Sequence, residues 1–132
     1  MQYKIDTKEK FTVLTLLDPR LSSNLVPELN DLVKNLGLTS PKNLVLNLGA
    51  VKDWDLSIMA LLAAHQEVFY DNNTSFVLCN LSDDLQNALD LTEFGEVINL
   101  TPTESEAWDI VQMEEIEREL LDSDDMEFST QE

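Results

Sequence analysis

With 132 residues the chain suits one domain with a genuine hydrophobic core. Its formal net charge is −18, and the charge is unevenly spread: residues 1–52 hold seven of the eight basic residues against five acids, whereas residues 53–132 hold 21 acids against Arg118 alone. Such a chain has no basic patch with which to displace counterions, which argues against nucleic acid or anionic lipid as a partner; the acidity suits either plain solubility or a basic protein partner.

The single cysteine, Cys79, lies inside an apolar run and has no partner for an internal disulfide, which fits a reducing compartment. No apolar run approaches the roughly 20 residues of a membrane helix, and MQYKIDTKEK lacks the apolar core of a secretion signal. The expected setting is the cytoplasm, without membrane insertion.

Tyr3 and Ile5 alternate with polar residues, and Phe11, Val13 and the run to Leu17 form a second strand across a short polar link, which predicts a hairpin. Asp18-Pro19-Arg20 ends it. Leu21, Leu25, Leu29, Leu32, Val33 and Leu36 recur at helical spacing, with Ser23 or Asn24 as the cap, Pro27 in the first turn and Gly37 as the stop.

Leu44 to Leu48 is almost continuously apolar, interrupted by Asn47, and suits a strand covered on both faces. The next apolar run, Ile58, Met59, Leu61 and Leu62, has the spacing of a helix face instead. Asp55 is placed to cap that helix, whose course runs to about Tyr70. Ser57 then falls in the first turn, with its hydroxyl expected at the surface beside the carboxyl end of a central strand. That edge is where sites of open α/β sheets tend to lie.

Phe76 to Cys79 reads as the next buried strand, and Ser82-Asp83-Asp84 starts a short helix carrying Leu85, Ala88 and Leu89. Val97 and Ile98 form a brief last strand. Thr101-Pro102-Thr103-Glu104 predicts a capped helix start, followed by Trp108, Val111, Ile116 and Leu120 as an apolar stripe. Residues 1–121 are thus expected to form the domain, and 122–132 an acidic, disordered tail. The order β-β-α-β-α-β-α-β-α predicts an α/β fold: a small, mixed, mostly parallel sheet with about four helices packed mainly on one face. Phe11, Val13, Leu44, Leu46, Leu61, Leu62 and Val77 are its expected core.

Catalytic and cofactor signatures are sparse. His65 is the one histidine, and its neighbours Leu61, Leu62 and Phe69 favour a packed or rim imidazole over a catalytic one. There is no Cys/His spacing for a metal, and three glycines cannot supply a phosphate-cradling loop. No catalytic residue, cofactor or metal is expected. A small hydrolase built on Ser57 is the weakest reading, since no histidine is near it in sequence.

The span from Tyr3 to about Trp108 resembles a STAS domain, the fold of the bacterial anti-sigma factor antagonists. Family members carry Asp-Ser-Ser-Gly-Leu between a buried strand and an Ala/Leu-rich helix. The matching text here is Asp55-Leu56-Ser57-Ile58-Met59 followed by Ala60-Leu61-Leu62-Ala63-Ala64-His65. Leu85 to Gly95 is similar to the family's later helix. Leu56 replaces the first serine and Ile58 the glycine.

The resemblance implies a non-enzymatic protein that binds an anti-sigma factor or kinase-like regulator. It aligns Ser57 with the serine that such kinases phosphorylate, and it puts Asp55, Leu56, Ser57, Ile58, Ser82 and Asp83 on the contact surface. From the residues alone, Ser57 reads equally as a hydroxyl capping its own helix, and Asp55 as an ordinary N-cap. The alternative function is a STAS-fold scaffold subunit of a larger regulatory or transport assembly, without a phosphorylation switch. The partner's identity and the oligomeric state are not written in the sequence.

Overall fold

The computed structural model describes the backbone of residues 1–131 and the side chains of residues 1–121. The expected disordered tail, 122–132, lies outside the residues described in full. Five strands, β1 (Tyr3–Thr7), β2 (Phe11–Leu16), β4 (Asn43–Asn47), β6 (Phe76–Cys79) and β7 (Leu100–Thr101), form one sheet in the order β1-β2-β4-β6-β7. β1 pairs antiparallel with β2 as the predicted hairpin, and every later pairing is parallel. A second, two-stranded parallel sheet joins β3 (Arg20–Leu21) to β5 (Asp53–Trp54).

Because successive strand residues point to opposite faces, the three inner strands feed two cores. Leu14, Leu16, Leu44, Leu46, Phe76 and Leu78 face α1 (Val26–Leu38), α2 (Leu56–Asp71) and α3 (Asp83–Asp90). Phe11, Val13, Val45, Val77 and Cys79 face α4 (Glu104–Gln131), which contributes Ala107 and Val111. Three helices therefore share one face and one helix covers the other. The expected core residues are buried, with Leu61 only partly so.

Three boundaries differ from the sequence reading. The first helix opens on a 3-10 turn, Ser23–Leu25, and continues through Gly37 to Leu38. Gly37 is a packing position: a Cβ there would stand 3.0 Å from Cζ of Phe69. The last strand is Leu100–Thr101, because Val97 and Ile98 are still turning, both donating their N–H to the carbonyl of Phe94. The cap of α4 is Thr103, whose Oγ1 accepts from the N–H of Glu106 at 3.2 Å. Thr101 is held in the sheet opposite Cys79, and Glu104 turns to Asn47, accepting from its Nδ2 at 3.3 Å.

Asn43 ties the two faces together at the entry of β4. Its Nδ2 donates to the carbonyl of Lys10 and to Oε1 of Glu115, each at 2.9 Å, and its Oδ1 accepts from the N–H of Ser75 at 2.8 Å. A buried amide with all these groups satisfied fixes the positions of β2, β6 and α4 relative to one another.

Candidate functional site

The carboxyl ends of β2, β4, β6 and β7 lie at one pole of the sheet. There β4 passes through a turn at Leu48–Val51 into β5 and then α2. Asn47 closes that turn with its side chain, Oδ1 accepting from the N–H of Gly49 at 2.9 Å. Gly49 in turn lies against Asn80, which leaves β6 in the left-handed region at φ 61°. Ser82 follows and caps α3, its Oγ accepting from the N–H of Leu85 at 3.2 Å. With α3 packed against β5, the two loops form one surface.

Asp55 stands at the N-cap position of α2, but its side chain does not cap that helix. Its Oδ2 accepts from the N–H of Ser23 at 2.8 Å and its Oδ1 from Nη2 of Arg20 at 3.0 Å. The Nη1 of Arg20 also donates to Asp53. The α2 cap position is met by backbone instead, with the carbonyl of Asp55 accepting from Ile58 and Met59. Asp55 is thus a clasp between the start of α2 and the segment after β2. Arg20 and Asp53 had no local signal, since they find each other across 33 residues, and Arg20 reaches Asp55 across 35.

The side chains after Asp55 alternate in a way that the sequence reading did not foresee. Leu56 is 58% exposed, whereas Ile58 is fully buried. Ile58 therefore supports the surface from beneath and is not part of it. The Ser57 hydroxyl, expected at the surface, is buried and has no hydrogen-bond partner among the described residues; the indole Nε1 of Trp54 is in the same condition. Ser82 and Asp83 are exposed at the same pole, but no hydrogen bond or ion pair joins them to the Asp55 cluster among the described residues.

Among the described residues no hydrogen bond joins the Ser57 hydroxyl to a base. His65 is buried between α1 and α2, with Nε2 3.0 Å from Oδ1 of Asn30, and burial pushes its pKa down. Cys79 is buried under α4, where burial, and secondarily the charge of Glu104, push its pKa up to about 12 and keep the thiol protonated. No group of three or more potential metal ligands occurs among the described residues. Nor is any helix there long and apolar enough to cross a membrane.

Comparison with known proteins yields one family: the STAS domain model matches residues 2–107. An anti-sigma factor antagonist from Mycobacterium paratuberculosis superposes with a TM-score of 0.71 at 20% identity, covering 84% of this chain and 93% of that one. The unphosphorylated form of the Bacillus antagonist SpoIIAA gives 0.67 at 16%, covering 84% and 96%. The murine Solute Carrier 26 family member A9 anion transporter gives 0.69 at 16%, but there the match covers 82% of this chain and only 18% of the transporter. No curated protein sequence matches the chain.

Proposed function

The chain belongs to the STAS domain family, and from that premise we propose that it is a non-enzymatic, cytoplasmic interaction protein. Its partner is a regulatory protein of anti-sigma-factor or serine-kinase type, and contact is made at the pole that carries Leu56. One observation carries this reading: an exposed leucine in the first turn of α2, beside a clasp of Arg20, Asp53 and Asp55. An apolar anchor within a polar rim is the composition of a protein contact, and Ser82 and Asp83 extend the rim. Leu56 occupies the place of the first serine in the family motif, so this chain offers an apolar contact where its relatives offer a hydroxyl.

Binding in this proposal does not depend on a phosphate. SpoIIAA has been solved in unphosphorylated and phosphorylated forms, but here the aligned hydroxyl of Ser57 is buried. A kinase would have to open the first turn of α2 to reach it. The test is affinity capture from the cell of origin with mass spectrometry, using wild type, Leu56→Lys and Ser57→Ala. We expect wild type and Ser57→Ala to retain one regulatory protein, and Leu56→Lys to lose it at least tenfold. Equal capture by Leu56→Lys removes this pole as the contact. Recovery of a transport assembly would favour the scaffold role, and phosphate on Ser57 would restore the switch.

A further inference from the structure

We propose that the outer face of α4 is a second docking surface, whose occupant is a basic amphipathic helix of a partner protein. Ala107 and Val111 point inward and are fully buried. Met113, Ile116 and Leu120 lie on the other side, 59%, 53% and 56% exposed, with Leu121 beside them at 63%. At 3.6 residues per turn the first three fall within an arc of about 60°. They form a continuous apolar stripe on a surface where scattered single apolar residues would be ordinary. Among the described residues neither the sheet nor another helix covers it.

The surrounding charge identifies the occupant. Between Glu104 and Leu121 there are seven acids and one base, Arg118. Only Glu115 among those acids has a cationic partner among the described residues, Lys10 at 3.6 Å. Asp109, Glu117 and Glu119 are exposed and stand beside the stripe at helical spacing. A second copy of the chain would bring these carboxylates against their own kind, which disfavours self-pairing. A helix with apolar residues at i, i+3 and i+7 and lysine or arginine on its flanks would match both the stripe and its border. The face lies across the sheet from α2, so its occupancy is independent of the pole that carries Leu56.

The probe is a fluorescent 18-residue synthetic helix with a leucine stripe and lysine flanks, titrated into the full chain and followed by anisotropy. Two control peptides replace either the leucines by serine or the lysines by glutamate. The protein variants are the double substitution Ile116→Ser with Leu120→Ser, both at exposed positions, and Leu56→Lys. Circular dichroism and melting should stay near wild type in both.

We expect the double variant and each control peptide to weaken binding at least tenfold, and Leu56→Lys to leave it unchanged. Equal binding by wild type and the double variant would reduce the effect to unspecific charge attraction and overturn the proposal. It would also be overturned by a wild-type dimer in sedimentation that the double variant converts to monomer, since the occupant would then be a second copy.

Discussion

The two faces of the sheet are unequal. On one, leucines and phenylalanine from three strands meet three helices in a single large cluster; on the other, Phe11, three valines and Cys79 meet two inward residues of α4. The large face uses most of its helical apolar surface internally. The small face leaves an apolar stripe of α4 in water. Stability should therefore be concentrated on the first face and spare binding capacity on the second. Both are built from the same strands, through residues that alternate one by one.

The largest expected contrast comes from truncating one buried side chain to alanine on each side. Leu62→Ala removes a fully buried side chain from the large cluster and should cost about 2–5 kcal/mol. Val111→Ala removes two carbons from the small one and should cost about 1–2 kcal/mol from lost burial. Urea unfolding of the two variants measures both. A Val111→Ala cost as large as that of Leu62→Ala would mean that the faces contribute equally.

Much of this contrast was legible, and its limits are physical. The unbroken run Leu44-Val45-Leu46 announces a strand covered on both sides, as the two clusters bear out. The stripe assigned to α4 mixed its two faces, because Val111 is inward while Ile116 and Leu120 are outward. Spacing finds an amphipathic helix, but it cannot say which of two apolar arcs meets the sheet. Asp55 illustrates the other limit. Its place at a helix start was readable, but Arg20 and the Ser23 N–H compete for the same carboxylate from a distant segment. Asn43 carries no local signal, since its partners Lys10, Ser75 and Glu115 lie 33, 32 and 72 residues away.

Ser57 gives the next largest effect. Its hydroxyl is already an unpaired buried donor, so Ser57→Ala should be neutral or slightly stabilising, since a buried unsatisfied polar group costs about 1–3 kcal/mol. Ser57→Asp puts a carboxylate in the same place, two residues from Asp55, and should lower stability by several kcal/mol, in the range of other uncompensated buried charges. Thermal melting separates the two. An aspartate variant as stable as wild type would show that the first turn of α2 opens at little cost, and would make Ser57 accessible to a kinase.

Breaking the clasp should have a smaller effect. Asp55→Ala frees Arg20 and leaves the Ser23 N–H to solvent, and both groups are exposed. Exposed ion pairs contribute about 0–1 kcal/mol, and one charge-assisted hydrogen bond adds about as much again. A loss near 1–2 kcal/mol in urea unfolding is expected. Arg20→Ala should cost about 0–2 kcal/mol, because it loses the exposed pairs with both Asp53 and Asp55 while the backbone contact of Asp55 to Ser23 survives.

The smallest effect is a pH dependence on the large face. Burial holds the folded-state pKa of His65 below the ordinary 6.5. Above 6.5 the imidazole is neutral in both states and contributes no slope. As pH falls below that value, the unfolded chain takes up a proton that the folded chain still refuses, so stability is lost until pH has passed through the folded-state pKa. The net charge of −18 adds a background that wild type and variant share. The readout is therefore a difference: unfolding free energy at pH 7.5 minus that at pH 5.5, in wild type and in His65→Gln. Glutamine can keep a hydrogen bond to Asn30 without titrating. Wild type should lose more stability than His65→Gln over this interval, or gain less. Identical changes would mean that the folded chain admits the proton freely, through local opening between α1 and α2.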